Sequence, residues 1–189
     1  MNRYSGEIPR RFHSDISRAP FDHCLLCDKA LLSGGELYII EKAYRDFGKK
    51  IGEKTLFEYA VCLSCAESYR KQLSVESRKK MDEFMSNIDF QKRASLLEGE
   101  EDDVWLKNCL IRQIPAGESG EAQIYGLCEG DRFIYGEFPY MISAEAMDQI
   151  VSLLSSETLN ELDRFKESLT NGPSELQDLF DKVGPRFLV

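Results

Sequence analysis

The spacing of four cysteines constrains this chain more than any other feature. Cys24 and Cys27 form one C-x2-C pair and Cys62 and Cys65 a second, with residues 28 to 61 between them. Two intervening residues let both sulfurs of a pair face one ion, and two such pairs supply the four thiolates of a tetrahedral zinc site. The first twenty residues carry Arg3, Arg10, Arg11 and Arg18 and no apolar run, and no later segment reaches membrane-spanning length. A cytoplasmic, reducing location is therefore the expectation, and the cysteines read as metal ligands rather than disulfides. The alternatives are a reducible dithiol pair and unliganded core thiols.

The surroundings of the two pairs suggest how the chain presents them. Residues 1 to 20 are polar, interrupted by Pro9 and Pro20, and read as an irregular N-terminal arm. Glu36 to Arg45 and Thr55 to Cys62 are rich in aromatic and β-branched residues, and Gly48 to Gly52 supplies turn chemistry, so a β-hairpin is expected. From Leu63 the pattern becomes helical. Tyr69 and Leu73 share a face, and Ser74 can cap a second segment containing Val75, Met81 and Phe84. Residues 21 to 93 thus form a four-cysteine zinc-binding unit with the order knuckle, hairpin, helix.

That order resembles the treble-clef zinc-finger superfamily over about residues 21 to 75. Cys24-Leu25-Leu26-Cys27 stands as the knuckle and Cys62-Leu63-Ser64-Cys65 as the pair at the helix start. The resemblance implies a compact α+β module around one structural zinc, on a scaffold that serves unrelated functions.

The second half differs in charge. Residues 1 to 93 hold 17 Lys+Arg against 14 Asp+Glu, whereas residues 94 to 189 hold 7 against 19. An acidic linker is expected over 94 to 103, with Glu98, Glu100, Glu101, Asp102 and Asp103 in its run, followed by an acidic, metal-free α+β unit over 104 to 189. Val104, Trp105 and Leu106 read as core. A hairpin is expected from Ala122 to Leu127 and Arg132 to Ile142, with Glu129-Gly130-Asp131 at its tip. Helices follow over Glu145 to Leu154 and Glu157 to Glu167, with Leu154, Leu159, Leu162 and Phe165 in the core. Ser174 and Gln177 resemble a capping box for a last helix containing Leu176, Leu179 and Phe180, which Gly184 and Pro185 stop.

The chain also aligns on itself. An offset of 81 matches Phe57, Tyr59, Leu73, Ser74, Glu76, Asp82 and Phe84 with Phe138, Tyr140, Leu154, Ser155, Glu157, Asp163 and Phe165. An offset of 85 matches Cys24-Leu25 with Cys109-Leu110 and Gly35-Glu36 with Gly120-Glu121. The second unit reads as a degenerate repeat in which Arg112, Ser143 and Ala146 replace Cys27, Cys62 and Cys65.

Enzymatic signatures are missing from the sequence: there is no phosphate loop, dinucleotide fingerprint, H-E-x-x-H or G-x-S-x-G. A closed four-thiolate shell leaves no position for substrate, so the zinc is expected to be structural, and no catalytic residue is named. His23 and His13 read as surface groups rather than ligands, and Cys109 and Cys128 as small buried hydrophobes. The favoured expectation is a zinc-stabilised interaction or adaptor protein whose partner is a protein, with no membrane association. The alternatives are nucleic-acid binding through Arg70, Lys71, Arg78, Lys79 and Lys80, and an enzyme with a cleft between its two units.

Overall fold

The computed structural model describes residues 4–48 and 53–170, with side chains described to residue 164. The expected turn at 49 to 52, the helix after Ser174 and the side chain of Phe165 lie outside the described residues. The architecture is α+β, with six strands in one antiparallel sheet and six α-helices among the described residues. The strands are β1 (Tyr4–Glu7), β2 (Leu37–Arg45), β3 (Lys54–Cys62), β4 (Glu121–Glu129), β5 (Arg132–Tyr135) and β6 (Tyr140–Ser143). The helices are α1 (Leu63–Gln72), α2 (Val75–Met85), α3 (Phe90–Leu96), α4 (Asp102–Trp105), α5 (Ala144–Val151) and α6 (Ser156–Thr170).

The sheet runs β1-β5-β4-β2-β3, with β6 beside β5 along the same edge of β4. Strands from both halves of the sequence therefore share one sheet, and β2 pairs with β4 along nine residues, from Leu37↔Glu129 to Arg45↔Glu121. The expected second strand, Arg132 to Ile142, is split. Gly136 has φ 152°, and Pro139 brings no N–H to a ladder, so β5 ends at Tyr135 and β6 starts afresh at Tyr140. Each short strand then takes a different half of β4. The segment expected to be an irregular arm also gains structure: Tyr4 to Glu7 pair with β5, and Arg10–Phe12 form one turn of 3-10 helix.

Strand alternation gives the sheet two buried faces. On one lie Tyr38, Ile40, Lys42 and Tyr44, of which Lys42 donates to His13 O and Tyr44 to Arg11 O in the arm. Phe12 packs so closely over Gly126 that a Cβ there would lie 2.8 Å from its ring, which requires glycine at this position in β4. On the other face Phe57 stacks on Tyr59 and Tyr125 on Tyr140, and Tyr69 and Leu73 of α1 are buried as their helical spacing predicts. Trp105 and Leu106 are buried, whereas Val104 stands 40% exposed.

Two serines end the helical stretches in matching ways. Leu73 leaves helical geometry, and the Ser74 hydroxyl accepts from Ser77 N at the start of α2; Ser155 accepts from Thr158 N at the start of α6. The two caps also meet. Ser74 N donates to Thr158 Oγ1 at 2.9 Å, Ser155 N donates to Ser77 Oγ at 2.8 Å, and the Ser74 and Ser155 hydroxyls lie 2.9 Å apart.

Candidate metal centre

Cys24 and Cys27 lie in a tight turn before the sheet. Cys24 N donates to Lys29 O, Asp28 N donates to Cys24 O, and Asp28 takes a positive φ of 56° to close the knuckle. Leu25 N donates to Ala60 O, which fastens the knuckle beside the end of β3. Cys62 is the last residue of β3 and the N-cap of α1, and Cys65 sits in the first helical turn. The strand-to-helix junction thus brings the second pair to the first.

The four sulfurs lie within 4.8 Å of one another, and no other Cys, His, Asp or Glu among the described residues joins the group. The thiols are free. Cys24 and Cys62 are buried, Cys65 is half-buried and Cys27 is exposed. Cys27 Sγ and Cys62 Sγ are 3.8 Å apart, matching the edge of about 3.8 Å for a tetrahedron with metal–sulfur bonds of about 2.3 Å. The donor set therefore fits a single tetrahedral metal ion.

Among Cys27, Cys62 and Cys65, Cys62 alone is shifted towards deprotonation. Burial opposes ionisation of Cys62, but the Ser64 hydroxyl at 3.2 Å and hydrogen bonds from its neighbours outweigh it and bring the thiol down to about 7. Cys62 N also donates to Cys24 Sγ at 3.3 Å. Burial and the adjoining Cys62 and Cys27 sulfurs push Cys65 upward, so binding of a metal ion here would release protons.

The second half carries the same backbone arrangement without the ligands. Cys109 N donates to Ile114 O, Gln113 N donates to Cys109 O with Gln113 at φ 58°, and Leu110 N donates to Met141 O. Ser143 N donates to Cys109 Sγ at 3.4 Å, and Ser143 caps α5. Bridges His23↔Ala30 and Asn108↔Pro115 close the two knuckles alike.

No protein-family model, curated protein or solved structure matches the chain.

The remaining candidates lie apart from the centre. His23 Nδ1 faces Asp22 at 3.1 Å, and His13 Nε2 meets Ile8 O at 3.0 Å. Cys109 and Cys128 are fully buried in separate places, with burial pushing the Cys128 thiol up to about 12. Three of the basic residues considered for nucleic acid are paired with acids: Arg70 with Asp82, Lys79 with Glu83 and Lys80 with Glu76. Asp103 of the acidic run pairs with Arg11. No described helix is long and apolar enough to cross a membrane.

Two buried polar groups have no prominence in the sequence taken alone. Lys42, fully enclosed, donates to His13 O at 2.7 Å and pairs with Asp15 at 2.9 Å and Glu58 at 3.0 Å. Glu41, on the opposite face, meets the hydroxyls of Tyr59 and Tyr125. A signal for them does exist: adjacent charges in the middle of the apolar strand Leu37–Arg45 must be enclosed on both faces once that strand is central.

Proposed function

We propose that this chain is a zinc-stabilised protein-interaction or adaptor protein. One ion on Cys24, Cys27, Cys62 and Cys65 holds a treble-clef-like module rigid and takes no part in chemistry. The observation that carries this reading is the closed donor set. Four sulfurs converge within 4.8 Å with no fifth ligand among the described residues, so a bound ion keeps no open position for water or substrate. Four soft thiolates in a compact tetrahedral arrangement favour zinc over hard cations. The bound zinc supplies cross-linking: it ties the knuckle to the junction of β3 and α1.

The two halves are read as duplicated units. Support comes from the paired hydrogen bonds of the knuckles and from the reciprocal bonds of Ser74 and Ser155. One copy keeps four ligands; the other keeps Cys109 and fills the remaining places with Arg112, Ser143 and Ala146.

Glu98, Glu100 and Glu101 are exposed beside α4 and offer a negative surface to a basic protein partner. Quantitative affinity capture with the parent chain, with those three residues changed to Lys, and with Cys62→Ser tests the proposal. The expected result is a set of basic partners lost from both altered proteins. A capture profile indifferent to both changes removes the adaptor reading.

A further inference from the structure

A cavity lies away from the cysteines, between the end of α2, α3, α4 and the knuckle at Cys109. Its volume is about 630 Å³, within the range of about 300–1,000 Å³ typical of small-molecule sites. Its walls are mixed: Phe84, Leu97, Leu110 and Ile111 give it an apolar side, and Asn87, Asn108 and Gln113 add neutral polar groups. Leu96, 71% exposed, and Val104, 40% exposed, also line it. These are two of the four large hydrophobic side chains left exposed among the described residues, and they stand together at one cavity.

Two cations, Arg93 and Lys92, and one acid, Asp89, line this cavity. Arg93 lines it and donates from Nη2 to Trp105 O and Pro139 O, both at 2.8 Å, while its guanidinium lies 4.8 Å from the Trp105 ring centre. These partners are neutral: no carboxylate pairs with Arg93 among the described residues. Burial pushes the guanidinium down to about 10, the mark of a cation enclosed without a counter-charge. Trp105 is 1% exposed, lines the same cavity, and its Nε1 has no acceptor. The carboxylate of Asp89, the one acid in this lining, accepts from Lys92 N as the cap of α3.

We propose that this cavity binds an apolar monocarboxylate of the medium-chain type, with its tail along Leu96, Val104 and Leu110 and its carboxylate facing Arg93. A half-buried cation lacking an anion, beside the apolar side chains of Leu96, Val104 and Leu110, selects for a ligand with one negative head and a hydrocarbon body. This assignment stands independently of the metal and of the adaptor reading.

Trp105 is the only tryptophan in the chain, so its fluorescence reports on this cavity without labelling. The full-length protein is titrated with decanoate below its micelle concentration, and in parallel with decanol. The expected result is a saturable change with decanoate, with decanol at least about tenfold weaker because it lacks the charge. Leu96→Glu, at an exposed position that leaves the core intact, is expected to weaken decanoate at least about tenfold. Arg93→Gln is expected to bring decanoate and decanol to similar affinity, with an unchanged circular dichroism spectrum and unfolding transition confirming the fold. No saturable response, equal affinity for decanol in the parent chain, or indifference to Leu96→Glu would each overturn the proposal.

Discussion

Glu41 lies in the middle of the sheet with its carboxyl between two tyrosine hydroxyls and no cation beside it among the described residues. The Tyr125 hydroxyl lies 2.7 Å from Gln123 Oε1 and 3.3 Å from Glu41 Oε1 and shares its hydrogen between these two acceptors. Burial is the dominant influence, the hydrogen bonds from Tyr59 and Tyr125 oppose it, and the carboxyl is pushed up to about 8. In the unfolded chain it ionises at about 4.3. The folded protein thus retains a proton that the unfolded chain has released, and this group's contribution to stability falls as pH rises from about 4 to about 8, then levels off. Glu41→Gln keeps the shape and removes the titration. Its stability relative to the parent chain is expected to improve between pH 5 and pH 9 by at most about 4 kcal/mol, the part of the linkage that falls in that range. Thermal unfolding of both proteins across that range measures it, and parallel curves would contradict the assignment.

At the scale of elements, Lys42 fastens the arm to the sheet. It reaches from β2 to His13 O and Asp15, while Glu58 on β3 also accepts from the Ser14 hydroxyl and Asp15 N. Removing the cation leaves Glu58, 7% exposed, without its ion pair. Lys42→Met is expected to cost about 3 kcal/mol and to open the arm to proteolysis near the exposed Ile16, read by chemical denaturation and limited digestion. The knuckles make a second test. If they are copies of one unit, Arg112→Cys, Ser143→Cys and Ala146→Cys together complete four thiols around Cys109. The triple variant is expected to bind a second zinc; retention of a single ion would remove the duplication. These elements are unequally legible in the sequence. Strong local signals, such as the knuckle spacing, the Ser74 cap and the Tyr69–Leu73 face, can be read directly because each depends on neighbours within one turn or one strand. The split of β5 from β6 and the pairing of Tyr4 to Glu7 depend on partners far along the chain, and no local pattern encodes them.

For the whole molecule, the sheet joins what composition divides. The excess of acid in the second half and the near balance of the first meet across the β2–β4 ladder, whose nine paired positions make the two halves one sheet rather than units joined only by residues 94 to 103. A core of this extent, with Tyr38, Ile40, Ile124, Phe133 and Met141 fully enclosed, does not require metal for its existence. On the function proposed above, a zinc ion is a local brace, so its removal is expected to free the knuckle and the start of α1 before the sheet unfolds, seen as early amide exchange confined to those segments. The ligand set is readable because metal coordination imposes a short spacing on the sequence, whereas the cavity at Arg93 gathers residues from several elements and leaves no such trace. Elemental analysis of the purified chain, with Cys62→Ser alongside, tests the central claim most directly. About one zinc per parent chain and almost none in the variant is the expected result, as four thiolates are needed to close the shell. A parent chain without metal, or a variant that retains it, would contradict the account.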